Sequence, residues 1–458
     1  MKKLADTVYT KVFTILKYTA FLFTLLLLLS TFIFTCYIDD MGTQKVLTRI
    51  DNIFLSALGC LVFLLLLKLL TKWVEQNTTF RCRLLFCITI GWYLFASAIL
   101  LVFCRTAPGG DAMAVFRIAE QCAVGDFTAI NPTGSYLSYY PHQIGLVAYY
   151  EIVLRIWNLL PVGLIGFHFI KVLNVFWTCL MIFCQYKTIH LLFHNTKINV
   201  TYLFLMICNI PLLFYSSFVY GEIPSISLFS LGYLCVLKIY ELTGAPSEPK
   251  RNKSLLGYTL LSFLAFTGCM MLRKNAMILM LAVMGVTLFE LLRHRKITLL
   301  GTLVVYILIT FCTLPMVRGI YEHRAGNELN SGVTALSYIA MGMQESSRAD
   351  GWYNGFNFDT YTNAGLDKEL ANEMSRTAIS ERGQFFKENP AYAVTFYINK
   401  YRSQWCDGTY ACLQATLNNL GGRSQGLVDL YNGKYDSIFI PFCNLLQLCL
   451  YLGSAVFA

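Results

Sequence analysis

Residues 143–160 read QIGLVAYYEIVLRIWNLL. Whether this stretch crosses a bilayer decides the topology of the whole chain. It is apolar enough to tempt that reading, since a span needs about 20 mostly apolar residues. Yet Glu151, Arg155 and Asn158 fall on one helical face, and Glu151 precedes Arg155 by four positions, the spacing of a helical ion pair. The pattern predicts an amphipathic helix lying on the outer membrane surface rather than through it.

The rest of the chain is organised around that segment. It has 458 residues, 56% of them hydrophobic and 14% charged, with mean hydropathy +0.55. A soluble domain carries about 25% charge, so this chain cannot cover a water-facing surface of its size. That excludes an ordinary soluble enzyme, a disordered protein and a fibrous one. Apolar runs at 13–37, 53–71, 84–104, 163–185, 199–220, 223–240, 255–272, 275–292, 297–317 and 437–457 predict ten spans of an all-α polytopic membrane protein. The first run is too long for a signal peptide and lacks a small-residue cleavage site, so it reads as a retained helix. Most of the 16 cysteines lie inside apolar runs, among them Cys179, Cys184, Cys208 and Cys449. There they act as small hydrophobes, and no pair has zinc-finger spacing.

Lysine and arginine set the expected orientation. Lys2, Lys3 and Lys11 place the N-terminus in the cytoplasm, and span counting puts the clusters at Lys68–Arg83, Lys187–Lys197, Lys238–Lys253 and Arg293–Lys296 on the same side. Two large outer segments result, 105–162 and 318–436. The expected organisation is a membrane core over 1–317 that includes the first outer loop, an extracytoplasmic domain over 318–436, and a last helix over 437–458. The 318–436 segment holds 11 Lys/Arg and 13 Asp/Glu, so the net charge of +10 belongs to the membrane part. This argues against a nucleic-acid partner and for contact with anionic membrane lipids. Sequons at Asn77, Asn199 and Asn252 fall on the cytoplasmic side, where they cannot be glycosylated, which favours a bacterial source.

Chemistry-bearing residues gather in the expected outer turns. Arg105-Thr-Ala-Pro-Gly-Gly-Asp111 leads into a helical stretch at 112–123. Asp111 reads as a helix N-cap and also as a general base at the membrane surface. Tyr139, Tyr140, His142 and Gln143 follow; the tyrosines suit a membrane interface, and the four together suit a sugar-sized groove. Glu222, in Tyr220-Gly-Glu-Ile-Pro224, is the one acid of its turn, either a helix start or a functional acid converging on Asp111. Arg273 and Lys274 break the positive-inside pattern, by snorkelling to lipid phosphates or by binding the phosphate of a lipid-linked substrate. Helices are expected at 366–388 and 391–402. Cys406 with Cys412, and Cys104 with Cys122, are candidate disulfides beside the alternative of free thiols.

This layout resembles the GT-C superfamily of polytopic glycosyltransferases, and within it bacterial relatives of protein O-mannosyltransferases and lipid A aminoarabinose transferases. The resemblance covers about the first 320 residues and rests on topology with short motifs. Asp111 with two surface helices matches the family's first outer loop, Glu222 its second acidic loop, and Arg273-Lys274-Asn275 its carrier-phosphate turn. The Tyr139–Gln143 stretch is similar to the Pro-containing entry of the second surface helix. The chain departs from the family where Ala112 replaces the second acid of a common acidic pair and where two extra spans precede the core. Relatives also carry further spans beyond the point matching Ala458, so the chain reads as a fragment or a short member. The resemblance implies a GT-C-like helix bundle with juxtamembrane helices. It implies inverting transfer of a sugar from a polyprenyl-phosphate carrier to an acceptor hydroxyl on an envelope glycan, lipid or protein, at the outer face of the plasma membrane. Asp111 and Glu222 would be catalytic, with Arg273, Lys274, Tyr139, Tyr140, His142 and Gln143 binding substrate. No cofactor is required by the reading, and use of a divalent metal is left open. The rival classes are a transporter or lipid flippase of envelope biogenesis, which should show repeats or broken helices near mid-bilayer, and a scaffold subunit.

Overall fold

A computed structural model describes residues 2–38, 43–159, 166–244, 249–417, 424–430 and 433–457; residues 160–162 of the first loop, Ala458 and the side chains of Lys2, Lys3, Lys250 and Arg251 lie outside the described set. Among the described residues, nine helices are long and apolar enough to cross a membrane: Tyr9–Ile33, Ile53–Glu75, Thr78–Phe103, Gly166–Phe193, Glu222–Thr243, Asn252–Leu272, Ala276–His294, Ile297–Ala325 and Asp436–Val456. The chain is an all-α polytopic membrane protein, with one short hairpin among the described residues.

The tenth expected span, 199–220, is not one helix. It is split into Thr196–Cys208 and Ile210–Tyr215. Asn209 ends the first piece and its side chain accepts from Leu212 N at 3.1 Å, while Pro211 occupies the first turn of the second. Proline lacks the N–H that a continuous helix needs there. The Tyr93 hydroxyl donates to Met206 O at 2.9 Å and bridges to Asn209 O at 3.3 Å, serving carbonyls that the break frees. The pair still carries the chain from end to end of the bundle. Lys197 meets Glu75 at 3.3 Å at one end, and the Tyr215 hydroxyl donates to Tyr410 O at 2.7 Å at the other.

The first span also starts and ends earlier than the expected 13–37, at Tyr9–Ile33. The helix stops at Ile33, and Phe34–Ile38 pairs antiparallel with Val46–Ile50, Thr35 opposite Arg49. Asn52 then caps the next helix by accepting from Phe54 N and Leu55 N. The hairpin is tied to the long polar segment through Cys36 N to Cys406 O and Val46 N to Arg348 O. That segment starts after Ala325, not at 318, because helix Ile297–Ala325 runs two turns further before Gly326 closes it at φ +67. Its helices include Lys368–Glu388, capped by Asp367, and Pro390–Trp405.

Helix Ile144–Asn158 does not span, but neither does it lie freely on a surface. Leu146, Val147, Tyr150 and Leu154 pack with Val115 and Ile118 of helix Gly110–Ala123 and with Ile170 and Tyr321. Ile152 and Ile156 remain exposed. Of the polar face, Glu151 is buried whereas Arg155 and Asn158 are exposed. Glu151 takes the expected pair with Arg155 at 2.8 Å and a second with Arg324 at 2.7 Å, and accepts from the Tyr321 hydroxyl. A carboxylate this buried requires such compensation. No disulfide joins Cys104 to Cys122 or Cys406 to Cys412. Cys122 instead sits in the core beneath the two loop helices, and Cys412 packs with Leu413 and Cys443.

Removing Arg324 would leave the buried Glu151 with the half-exposed Arg155 as its remaining cation, beside the neutral Tyr321 hydroxyl. Arg324→Ala is expected to cost about 2 kcal/mol, less than a fully buried pair because the guanidinium is partly solvated. A melting curve in detergent should fall by several degrees, with Arg324→Lys recovering only part because lysine lacks the bidentate fork. An unchanged melting temperature contradicts this clamp.

Candidate functional site

The chemistry-bearing turns meet at the end of the bundle that carries the hairpin and the 326–435 segment. Helix Gly110–Ala123 starts after Gly109, with Gly110 at φ +53, so Gly109 is the N-cap and Asp111 lies in the first turn. The N-cap reading of Asp111 therefore fails, and its side chain is free to act elsewhere. The approach to it is held by Lys171, buried at the start of helix Gly166–Phe193, whose Nζ donates to Cys104 O at 3.2 Å and Thr106 O at 2.8 Å.

Tyr220, which the sequence did not single out, joins the parts. Its hydroxyl receives Gln143 Nε2 at 2.7 Å, lies 3.4 Å from the Tyr136 hydroxyl, and donates to Asp111 Oδ2 at 3.5 Å. Arg273 covers its ring at 4.8 Å and donates to its carbonyl at 3.4 Å. The same guanidinium pairs with Glu222 Oε1 at 2.9 Å, whereas Glu222 Oε2 is buried without a hydrogen-bond partner. Arg273 is thus committed, and Glu222 keeps one open acceptor.

Lys274 is different. It is exposed, makes no ion pair among the described residues, and lines a cavity of about 720 Å³. His142, Arg318, Glu328 and Ser331 line the polar part of that cavity, and Met270, Met277, Phe311 and Leu314 the apolar part. Arg318 is itself paired with Glu322 at 2.7 Å. The cavity therefore has a membrane-facing apolar wall and one uncommitted cation, a shape suited to an amphiphile with an anionic head.

Protonation follows the setting. Burial pushes the Asp111 carboxyl above the usual aspartate range, against the lowering effect of the Tyr220 and Tyr136 hydroxyls and of Arg273. Burial, then the charges of Lys274 and Arg273, holds His142 down to about 4, so its imidazole is neutral at pH 7. Burial and the Asp111 charge push the Tyr220 phenol up to about 12, so it stays a donor.

Of the other expected residues, Gln143 is buried and serves Tyr220. The Tyr140 ring lies 5.1 Å from that of Tyr136, and burial, with smaller effects of neighbouring tyrosines and of Asp111, keeps it protonated. Tyr139 is engaged in packing. Its ring stacks on Phe358 at 4.5 Å and its carbonyl accepts from Val333 N, so it latches the first loop to the 326–435 segment. Among the described residues no group of three or more His, Cys, Asp or Glu side chains is placed to hold a metal ion. Tyr220 and Arg318 are the functional candidates that sequence reasoning missed. Tyr220 stands beside the Gly-Glu pair that was singled out, but nothing local marks its partner Asp111, 109 positions away.

No family model, curated protein or solved structure matches this chain.

Two glycines let the turns approach. A Cβ on Gly145 would lie 2.0 Å from Met271 O, and Gly221 has φ +88 with Leu146 Cδ1 2.8 Å from its would-be Cβ. Gly145→Ala should force helix 144–158 off Met271 at the end of helix Pro249–Leu272, at a cost of about 1–3 kcal/mol. The expected readout is a lower melting temperature together with loss of ligand-induced stabilisation. A variant that melts like the wild type contradicts the close approach.

Proposed function

We propose that the chain is a membrane glycosyltransferase that moves a sugar from a polyprenyl-phosphate carrier to an acceptor hydroxyl on the outer face of the membrane. The observation that carries this reading is the meeting of Asp111, Tyr220 and the Glu222–Arg273 pair beside a half-apolar cavity whose one uncommitted cation is Lys274. The carrier's phosphate would sit on Lys274, with its isoprenoid tail along Met270, Phe311 and Leu314.

The reaction needs charge handled at two points. The bond from the sugar's anomeric carbon to the phosphate oxygen breaks, and its electron pair leaves with the polyprenyl phosphate. Lys274 stabilises that growing charge. The acceptor oxygen forms the new bond to the anomeric carbon, and its proton passes to Asp111 and then to water. An aspartate at its ordinary pKa of about 3.9 is a weak base; the upward push from burial makes Asp111 a better one. Glu222 Oε2, an unfilled acceptor, would orient a hydroxyl of the sugar or the acceptor. Displacement with a single base inverts the anomeric centre.

The broken helix at Asn209 is the feature that favours the transporter reading, since transporters bind ions at such breaks. Here the break is served by Tyr93 and by the side chain of Asn209 itself, which weighs against an open ion site.

The test is transfer from a panel of radiolabelled polyprenyl-phosphate hexoses and pentoses by the purified full chain in liposomes. Asp111→Asn is expected to lower transfer by about 10²–10⁴-fold. Equal transfer by both proteins would end the base assignment. Asp111 acts deprotonated and burial raises its pKa, so kcat/KM should fall as pH drops, with the acid limb above the ordinary aspartate range. Tyr220→Phe removes a bond that favours the charged form, so it should move that acid limb to higher pH. A limb that stays in place contradicts the Tyr220–Asp111 contact.

A further inference from the structure

A second pocket lies at the same end of the bundle and shares no residue with the Asp111 cluster. It is a cavity of about 390 Å³ between the stretch Arg49–Ser56 and the last helix, where Pro441, Phe442, Asn444 and Leu445 line it. We propose that it is a lipid-headgroup site that selects a phosphate next to a primary ammonium, the chemistry of an ethanolamine phospholipid.

The polar lining sets the ligand. Asp51 Oδ2 accepts from the Thr35 hydroxyl at 2.5 Å and from Asn444 Nδ2 at 3.0 Å. That bond turns the other end of the Asn444 amide into an acceptor, and its Oδ1 is buried with no hydrogen-bond partner although the residue is only 4% exposed. A carboxylate and an orphan carbonyl side by side call for a donor-rich cation. A primary ammonium has three N–H donors, and a quaternary one has none. Arg49 Nε stands 3.9 Å from Asp51 Oδ1, too far for a hydrogen bond, and its side chain is 40% exposed. It is available to a phosphate. A phosphate alone would face the Asp51 charge, and the ammonium of a zwitterion removes that conflict.

The apolar lining sets the rest of the molecule. Ile50 and Leu55 are strongly exposed at the pocket and Phe442 partly so. Ile50 ends the hairpin strand, Leu55 stands in the first turn of the spanning helix that follows, and Phe442 lies in the first turns of the last one, near the level where a headgroup gives way to acyl chains. A soluble zwitterion would leave these surfaces uncovered.

The test is native mass spectrometry of the full-length protein with ethanolamine, choline and glycerol phospholipids of identical chains at equal concentration. The expected result is retention of the ethanolamine lipid over the choline lipid by about tenfold, and over the glycerol lipid. Asn444→Leu should abolish the preference over choline, and Arg49→Gln should weaken retention of all three. Equal retention of ethanolamine and choline lipids, or better retention of the anionic glycerol lipid, overturns the proposal. So does an unchanged preference in folded Asn444→Leu. If that variant does not fold, the wild-type ranking and the surface variant Arg49→Gln decide. The readout needs no transfer activity, so it stands apart from the enzyme reading.

Discussion

The site depends on one guanidinium. Arg273 sits in the short turn between two spanning helices, pairs with Glu222 at the head of a third, and lies over the ring of Tyr220. A cation between two helix ends at a membrane face is costly unless paired. Pairing it here locks the 220–222 turn against the 273–275 turn. With those turns fixed, Tyr220 is fixed, and its hydroxyl then reaches Asp111 in the first loop and Gln143 at the head of the 144–158 helix. The neighbouring Lys274 makes no ion pair among the described residues and lines the cavity. Adjacent cations thus divide the work, one holding the frame and one facing the cavity.

A second constraint comes from Glu151. Its helix was the ambiguous one, and burial of Glu151 between two arginines resolves how the first loop folds. Arg324, from the end of a spanning helix, reaches Glu151 and lies over Phe127 at 4.2 Å. The first loop is thereby pinned to the helix that leads into the 326–435 segment, and Tyr139 on Phe358 adds a second tie. Movement of either polar segment would be felt at Asp111 through these contacts.

Much of the fold was legible. Apolar runs of bilayer length marked nine helices, and the Glu151–Arg155 spacing marked a helix that does not cross. The broken helix was misread although its signals were local: Asn209 with Pro211 is a cap followed by a first-turn proline. The hairpin was hidden because Phe34–Ile38 continues an apolar run, and its partner strand Val46–Ile50 shows itself only through cross-strand hydrogen bonds. At the site, residue types in suspicious turns were legible: Asp111, Glu222, Arg273, Lys274, His142. Their pairing was not. That Arg273 is spent on Glu222, that Gln143 serves Tyr220, and that Glu151 meets Arg324 are contacts between residues 51 to 173 positions apart, and no helical or turn periodicity encodes them.

The proposed transfer requires that the cavity beside Lys274 hold the phosphate of a lipid carrier with its sugar directed toward Asp111. The most direct measurement is an electron cryomicroscopy map of the full chain with a polyprenyl-phosphate sugar bound. The account predicts phosphate density within about 4 Å of Lys274 Nζ, tail density along Phe311 and Leu314, and the anomeric carbon on the side of Asp111. Carrier density lodged elsewhere on the bundle, or in the cavity with its sugar pointing away from Asp111, would contradict it.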